Sequence, residues 1–364
     1  MATFDWFDTT KGLFSPISLT DTILKANYYP RKLGQLGIFQ SRPVDTISVA
    51  IEELRDGTAL IPISKRGGPA PQARRNMRQA RKLDTIHLKM EETINADEIP
   101  VRALGTETGI ETMAEKVNYK MALLKDQKFE PTFEYLRAFA VQGLVKDPAD
   151  GSTVVNMFDQ FGVKNPVTGT TTALSVSTQN LTLSAGTTDI RNQVVEAKRT
   201  MRQVLGMDVD DGCIGLLSPV LFDKFIAHAT VRAAWNNAQQ LLAVQTHEDL
   251  RVKGFYYAGV TWFEYASGFV PIPDADTGNP TASYQTYLDN SGNGTGLLLP
   301  PPQTNIFRVY YAPDDTFDGM GKMGTEYFAY SILNDERTHI RIIAQSNPLF
   351  VCLRPDAVVH LAYN

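Results

Sequence analysis

Apolar and polar residues alternate with a period of two in two stretches early in the chain, at residues 46–51 and 85–90. This pattern is typical of half-buried β-strands. Between the two stretches, the apolar run at 58–63 is compatible with another strand, and a Gly/Pro cluster at 66–71 interrupts regular structure. The pattern therefore predicts an extended excursion over residues 44–100, with strands that go out, a Gly/Pro tip and strands that return.

Apolar positions at helical spacing follow this excursion. Thr108 and Glu111 have the spacing of a capping box, so a helix is predicted to begin there. Pro131, which is tolerated in a first turn, is predicted to kink or restart the helix, and Asp147-Pro148 is predicted to end it. We interpret the apolar stripe as core; it comprises Ile110, Met113, Ala114, Val117, Met121, Leu124, Phe133, Leu136, Phe139, Ala140 and Leu144.

The middle of the chain predicts a β-rich layer and then a second helix. Residues 154–163 and 172–183 are predicted strands. Thr188-Asp189 predicts a helix start and Gly206 predicts its end. The apolar face of this helix comprises Ile190, Val194, Ala197, Met201 and Leu205.

The rest of the chain alternates short apolar runs with helix signals. Residues 213–217 predict a strand, and Ser218-Pro219 predicts a helix start with serine as the cap. An aromatic β segment is predicted at 254–265. Three closing strands are predicted at 340–344, 349–353 and 357–362.

Composition places the chain among ordinary globular proteins. Its 364 residues include 43% hydrophobic and 21% charged side chains, which predicts one or two domains with a sizeable core. The 35 basic and 40 acidic residues give a net charge of −5, which argues against a generic nucleic-acid binder. Cys213 and Cys352 are too few for a disulfide framework, and no apolar run reaches the roughly 20 residues of a membrane helix. We therefore expect folding in a reducing cytoplasm and no membrane partner.

No motif predicts catalysis or a bound cofactor. A Gly-x-Gly-x-x-Gly motif begins at Gly319, but β-like residues follow it where a dinucleotide loop needs a helix. The acidic turn at 208–212 resembles the start of a calcium loop, yet the position that requires glutamate is Pro219. The five histidines show no paired metal spacing. We therefore predict no enzyme activity, catalytic residue, metal or cofactor.

Charge is concentrated in one segment, which we call the basic segment, at residues 65–82. It carries seven basic residues and no acidic one, so the rest of the chain has a net charge of −12. It could bind nucleic-acid phosphates, dock on an acidic surface of a neighbouring copy, or form a solvated hairpin or helix face. We favour docking, because a long extended segment is usually functional or ordered by a partner. The predicted contact residues are Lys65, Arg66, Arg74, Arg75, Arg78, Arg81 and Lys82.

Several short motifs are informative in combination. They are KRGGP at 65–69, RKLDTIHL at 81–88, INADEI at 94–99, KGFY at 253–256, YASG at 265–268, QSNPL at 345–349 and RPD at 354–356. With the order of the predicted elements, they resemble the major capsid protein of tailed bacteriophages. The resemblance is to the lambda-like major head protein family, also called phage major capsid protein E, and covers essentially the whole chain.

The resemblance implies an α+β fold of the Hong-Kong-ninety-seven type. Residues 1–43 would form an N-terminal arm and residues 44–102 an extended loop built as a β-hairpin. Residues 103–185 would form a peripheral domain with a long spine helix, and residues 186–334 an axial α/β domain. Residues 335–364 would be strands that return to the peripheral and axial domains.

The resemblance also implies a function. Copies would self-assemble into hexamers and pentamers of an icosahedral shell that encloses double-stranded DNA without sequence-specific binding. The extended loop of one copy would lie over the peripheral domain of the next, and the N-terminal arms would extend between capsomers. Expected partners are other copies, with scaffolding, portal and decoration proteins as further candidates, and the expected location is the virion, after assembly in the host cytoplasm. The alternatives are a nucleic-acid-binding protein that uses Lys65–Lys82 and an enzyme whose site the sequence does not reveal.

Overall fold

The computed structural model shows mixed helices and sheets, which confirms the predicted α+β class. It describes residues 14–28, 31–54, 78–95, 109–163, 178–183, 188–209, 211–245, 254–269, 285–288, 294–319, 321–335 and 338–363. Among these residues there are eight α-helices and eighteen β-strands.

A long helix, which we call the spine helix, crosses the body of the protein. It consists of α3 (Gly109–Leu124), a π-helical turn (Lys125–Phe129) and α4 (Glu130–Val141), and the backbone stays helical at both junctions. The π turn ends two residues before Pro131. Proline has no N–H and its ring crowds the carbonyl one α-helical turn earlier, so the wider turn lets the helix continue through it.

The spine helix ends earlier than predicted, at Val141 rather than at Asp147. Gly143 adopts a φ of +79°, which favours glycine and turns the chain out of the helix. Strand β5 (Leu144–Lys146) follows and pairs antiparallel with β6 (Thr153–Asn156).

The strand predicted at 154–163 is half wrong, because β6 gives way to a short helix, α5 (Met157–Phe161). The Asn156 side chain accepts a hydrogen bond from the Phe158 N–H at 3.0 Å, so asparagine starts the helix as a cap. Of the strand predicted at 172–183, the described part contains β7 (Thr178–Leu181).

The N-terminal segment packs on the chain's own body. It comprises α1 (Pro16–Lys25), α2 (Lys32–Leu36) and β1 (Gln40–Pro43). In α1, Leu19 and Ile23 are fully buried. Residues 14–28 and 31–43 of the predicted N-terminal arm therefore lie against this copy, and residues 1–13 lie outside the described residues.

The extended excursion begins as a hairpin. Strand β2 (Ser48–Leu54) pairs antiparallel with β3 (Arg78–Asp84), with Val49 opposite Leu83. The predicted strand at 58–63 and the Gly/Pro tip lie outside the described residues. The helical spacing of the arginines is misleading, because residues 78–84 form a strand.

A three-stranded antiparallel sheet follows the hairpin. It consists of β15 (Phe328–Leu333), β16 (His339–Ser346) and β4 (Leu88–Asn95), in that order. The strand predicted at 85–90 therefore begins slightly later and continues further. A second three-stranded sheet joins β1, β14 (Phe307–Tyr311) and β17 (Pro348–Cys352).

A six-stranded sheet lies in the second half of the chain. Its order is β7, β18 (Val359–Tyr363), β13 (Thr295–Leu299), β8 (Cys213–Leu217), β10 (Val260–Glu264) and β9 (Phe255–Tyr257). The last strand of the chain thus returns to the sheet built by the middle of the chain. Short strands β11 (Gly268–Phe269) and β12 (Gln285–Thr286) pair separately.

Three helices accompany this sheet. Helix α6 (Ile190–Leu205) has Asp189 as its N-cap and Gly206 as its end, which confirms the predicted bounds. Helices α7 (Pro219–Ala227) and α8 (Ala229–Gln245) follow. Ser218 precedes α7 as predicted, but its hydroxyl accepts a hydrogen bond from Thr295 N–H instead of capping the helix.

Candidate interaction surface

The glycine motif at 319–324 is a packing feature, as its sequence context indicates. Strand β15 follows it, so the helix that a dinucleotide loop requires is absent from this described stretch. A side chain at Gly324 would collide with the carbonyl of Tyr311, and the Gly324 N–H donates to the carbonyl of Val44 at 2.8 Å. This glycine is therefore needed for close backbone contact.

The described residues also provide no metal site and no candidate membrane span. Within the described ranges, no group of three or more His, Cys, Asp or Glu side chains is placed to hold an ion. Asp210, part of the acidic turn, lies outside them. No helix in the described part of the chain is long and apolar enough to cross a membrane.

The structure places the predicted contact residues unevenly. Lys65, Arg66, Arg74 and Arg75 lie outside the described residues, and the backbone of Arg78 begins β3. The remaining two, Arg81 and Lys82, are consecutive on β3 and so point to opposite faces of the hairpin.

Arg81 and Lys82 accordingly have different surroundings. Arg81 Nη1 donates to the carbonyl of Asp159 in α5 at 3.3 Å, so this side chain contacts its own copy. The side chain of Lys82 is 72% exposed and lies 3.8 Å from the carboxylate of Asp84. The contact with a neighbouring copy stays a prediction for both residues; within this copy, Lys82 is exposed, whereas Arg81 contacts the body.

Apolar side chains anchor the base of the hairpin. Val49, Ile51 and Leu83 are buried on the face that Arg81 shares. They belong to a separate small core that also contains Met157, Phe161, Tyr310, Leu349 and Val351. The opposite face carries Lys82, so the hairpin leaves the body with one face packed and one face available.

Buried charges on the spine helix hold the N-terminal segment. Lys125, in the π turn, is 3% exposed, and its Nζ donates to the carbonyls of Leu24 and Ala26 at 3.0 and 3.1 Å. These carbonyls lie at the C-terminal end of α1, where the helix dipole favours a cation. The ammonium also lies 4.3 Å from the ring centroid of Tyr28.

Glu134 binds the other helix of the segment. It is 1% exposed, and its Oε1 accepts hydrogen bonds from the Leu33 N–H at 3.0 Å and the Tyr265 hydroxyl at 3.1 Å. Leu33 lies in the first turn of α2, where the dipole favours an anion. Burial raises the pKa of Glu134, and the Leu33 hydrogen bond and the charge of Arg137 act in the opposite direction.

A second carboxylate, Glu130, links the spine helix to Tyr327, the residue directly before β15. Glu130 Oε1 accepts a hydrogen bond from the Tyr327 hydroxyl at 2.9 Å, and Oε2 lies 3.5 Å from Arg137 Nη1. Nearby, burial and the charge of Glu130 raise the pKa of Glu326. These contacts satisfy charges that would otherwise destabilise the core.

Sequence reasoning missed Lys125, Glu130 and Glu134 as structural residues. A signal was present: Lys125 follows Val117 and Met121 at intervals of four and so falls on the apolar face of the helix. A charge in phase with a buried stripe predicts either a helix break or a buried partner, and here the partner is the N-terminal segment.

A family model described as "Phage major capsid protein E" matches residues 15–362. The chain belongs to this family. The family is one of structural shell proteins, so the function of the chain is to form a capsid, it is not an enzyme, and its location is the virion. The major capsid protein of Pseudomonas phage KPP10 is 25% identical over 338 residues, which cover 89% of this chain and 90% of that protein.

Solved structures support the capsid fold independently. A candidate capsid protein of an Escherichia coli prophage is 10% identical with a TM-score of 0.55, and the match covers 96% of this chain and 99% of that chain. A phage-related protein of Bordetella bronchiseptica is 12% identical with a TM-score of 0.50, covering 96% and 97%. At these identities the likeness shows the fold, and it confirms the predicted Hong-Kong-ninety-seven-type architecture. Nothing in these comparisons favours the alternative of a nucleic-acid-binding protein.

Proposed function

We propose that copies of this chain assemble into hexamers and pentamers that close an icosahedral shell around double-stranded DNA. The family match over residues 15–362 carries this proposal. In it, the basic segment contacts acidic residues of the next copy. Each contact is individually weak, but a closed shell repeats it many times, so that the contacts together stabilise the assembly.

The arrangement of the hairpin supports this use of the basic segment. The base of the hairpin is anchored by Leu83 and its apolar neighbours, while Lys82 is exposed on the opposite face. The rest of the chain has a net charge of −12, which offers complementary surface. We further propose that the chain reaches the shell from the host cytoplasm, with scaffolding, portal and decoration proteins as additional partners.

Electron microscopy of the purified protein tests this function. We expect wild-type protein to form closed particles. A variant with Arg74→Glu, Arg75→Glu and Arg78→Glu should keep the thermal unfolding temperature of the unassembled protein and fail to form particles. Arg81 is left intact because it contacts Asp159 of its own copy. Normal particles from the variant would refute the docking role of the basic segment, and small species from the wild-type protein at every concentration and salt would refute the shell.

A further inference from the structure

A groove beside helix α6 carries positive charge that the assembly contacts above do not use. Its volume is about 580 Å³. One wall is the helix face that carries Arg191, Lys198, Arg199 and Arg202, and the other is the β9–β10 turn. We propose that this groove is a contact site for the phosphate backbone of the enclosed nucleic acid, an inference that rests on the proposed enclosure of DNA.

The cations form a stripe on one side of the helix. At 3.6 residues per turn, Arg191, Lys198 and Arg202 fall within an arc of about 40°, and Arg199 lies about 60° to one side of Arg202. The stripe spans about 16 Å along the helix axis at 1.5 Å per residue. That length matches about five phosphates along one strand of a duplex at 3.4 Å per phosphate.

The surroundings of the cations keep the groove positive. Asp211 is the one acidic residue among the described residues that line it, and its Oδ1 accepts a hydrogen bond from the Tyr256 hydroxyl at 3.2 Å. Glu196 pairs with Arg199 at 2.9 Å, but both side chains are more than half exposed, so a phosphate can compete for the guanidinium. A groove lined by one sign of charge concentrates the field and attracts anions.

Two features of the groove are ordered before any ligand binds. Arg202 Nε donates to the carbonyl of Val209 at 3.4 Å, and Lys198 is only 9% exposed, so it adds to the field of the groove more than to direct contacts. The facing turn is tight, because Ala258 and Gly259 both adopt positive φ. Cations already held in position lose less conformational entropy when they bind a phosphate.

The acidic residues of this chain are a poorer match for the stripe than phosphates are. The acidic residues of this chain occur singly or in pairs along the sequence, so a second copy would have to bring separate ones together to match the stripe. A nucleic-acid strand presents one charge at every repeat. Three of the four cations are arginines, whose planar guanidinium binds phosphate oxygens in a bidentate manner. The observations therefore favour nucleic-acid phosphates over a second copy as the occupant.

Fluorescence anisotropy with a short labelled DNA duplex of random sequence tests the proposal. All proteins carry Arg74→Gln, Arg75→Gln and Arg78→Gln, so that the basic segment contributes less to DNA binding and contributes equally in every protein. Into this full-length background we place either Arg191→Gln with Arg199→Gln, or the control pair Lys25→Gln with Lys128→Gln, which removes two exposed cations elsewhere. Binding is measured over a series of salt concentrations, and circular dichroism checks folding.

We expect the groove pair to reduce the slope of log affinity against log salt by about two, one for each arginine that no longer binds a phosphate, whereas the control pair leaves it nearly unchanged. Equal slopes for the two pairs would overturn the proposal. An unchanged DNA slope with impaired particle formation, when Arg191→Gln and Arg199→Gln are placed in wild-type protein, would assign the groove to a second copy and also overturn it. Because the DNA measurement does not depend on particle formation, its failure is distinguishable from failure of the proposed shell.

Discussion

The N-terminal segment and the β2–β3 hairpin are attached to the same body by different physical means. The segment is held by two buried charges of the spine helix, with Lys125 at the end of α1 and Glu134 at the start of α2. The hairpin is held by a small apolar core and by a hydrogen bond from Arg81 to the body, and its outer face exposes Lys82. The chain thus uses buried charge where the structure is fixed and exposed charge where we propose that copies meet.

The difference has an energetic reason. A buried charge is strongly destabilising without its partners, so the contacts of Lys125 and Glu134, which together we call the clamp, favour a single position of the segment. An exposed ion pair contributes little and is screened by salt. Exposed charges therefore suit contacts that form during assembly, whereas the buried charges keep α1 and α2 on the spine helix.

Removal of Lys125 should have the largest effect on the folded chain. Lys125→Met leaves two backbone carbonyls without their donor and takes a cation from the vicinity of Glu130 and Glu326. We expect the unfolding free energy of the unassembled protein to fall by about 3 kcal/mol, measured by urea denaturation. Lys128→Met, at an exposed position of the same turn, is the control. Equal losses for both variants would show that Lys125 does not clamp the segment.

Truncation of the hairpin anchor should have a smaller and more local effect. Leu83→Ala removes buried apolar contacts from the base of the hairpin and should cost about 2 kcal/mol. Amide hydrogen exchange should accelerate in β2 and β3 more than in the spine helix. Met90→Ala, at a more exposed position on β4, is the matched control. Uniform acceleration across both regions would contradict separate attachment.

The pH dependence of stability should report on Glu134, which attaches the N-terminal segment. Burial raises the pKa of Glu134 above its usual 4.5, so between that value and the raised pKa the folded state binds more protons than the unfolded state. The contribution of Glu134 therefore makes stability decrease as pH rises through this window. Glu134→Gln should make the decrease shallower, as measured by denaturant unfolding at several pH values. An identical dependence in both proteins would mean that Glu134 does not titrate in this way.

Substitution of the two neighbouring cations of β3 should have the smallest effects on stability, and the loss should be larger for Arg81 than for Lys82. Arg81→Gln weakens the contact with the Asp159 carbonyl and should cost about 1 kcal/mol. Lys82→Gln should change the stability of the unassembled chain by less than about 0.5 kcal/mol. Urea denaturation of both variants measures the difference. A larger loss for Lys82→Gln would reverse the assignment of inner and outer faces.

Local features were predictable from the periodicity and capping residues of the sequence, and non-local pairings were not. Helix α6 was predicted with its bounds because Asp189, the apolar face and Gly206 all lie close together in the chain. The pairing of β18 with β7 and β13 depends on residues far apart in the chain, which periodicity does not reveal. The clamp was missed for the same reason, since Glu134 contacts Leu33 from about a hundred residues away.

The remaining errors in predicted secondary structure come from residue patterns that are compatible with both helices and strands. Residues 154–163 are apolar enough for a strand, yet Asn156 caps a helix there. Arg78 and Arg81 have helical spacing but lie on β3. For the basic segment, the sequence shows the concentrated positive charge, and the resemblance implies that its partner is another copy. The contact between copies remains a prediction.

The most direct test of the central claim is to ask whether the basic segment contacts a different copy. Particles would be assembled from equal amounts of ¹⁵N-labelled and unlabelled chains, and lysines would be joined to nearby carboxylates with a carbodiimide. We predict that mass spectrometry finds Lys65 and Lys82 linked to acidic residues in peptide pairs of mixed isotope composition. Links from these lysines in which both peptides always carry the same label would contradict the account.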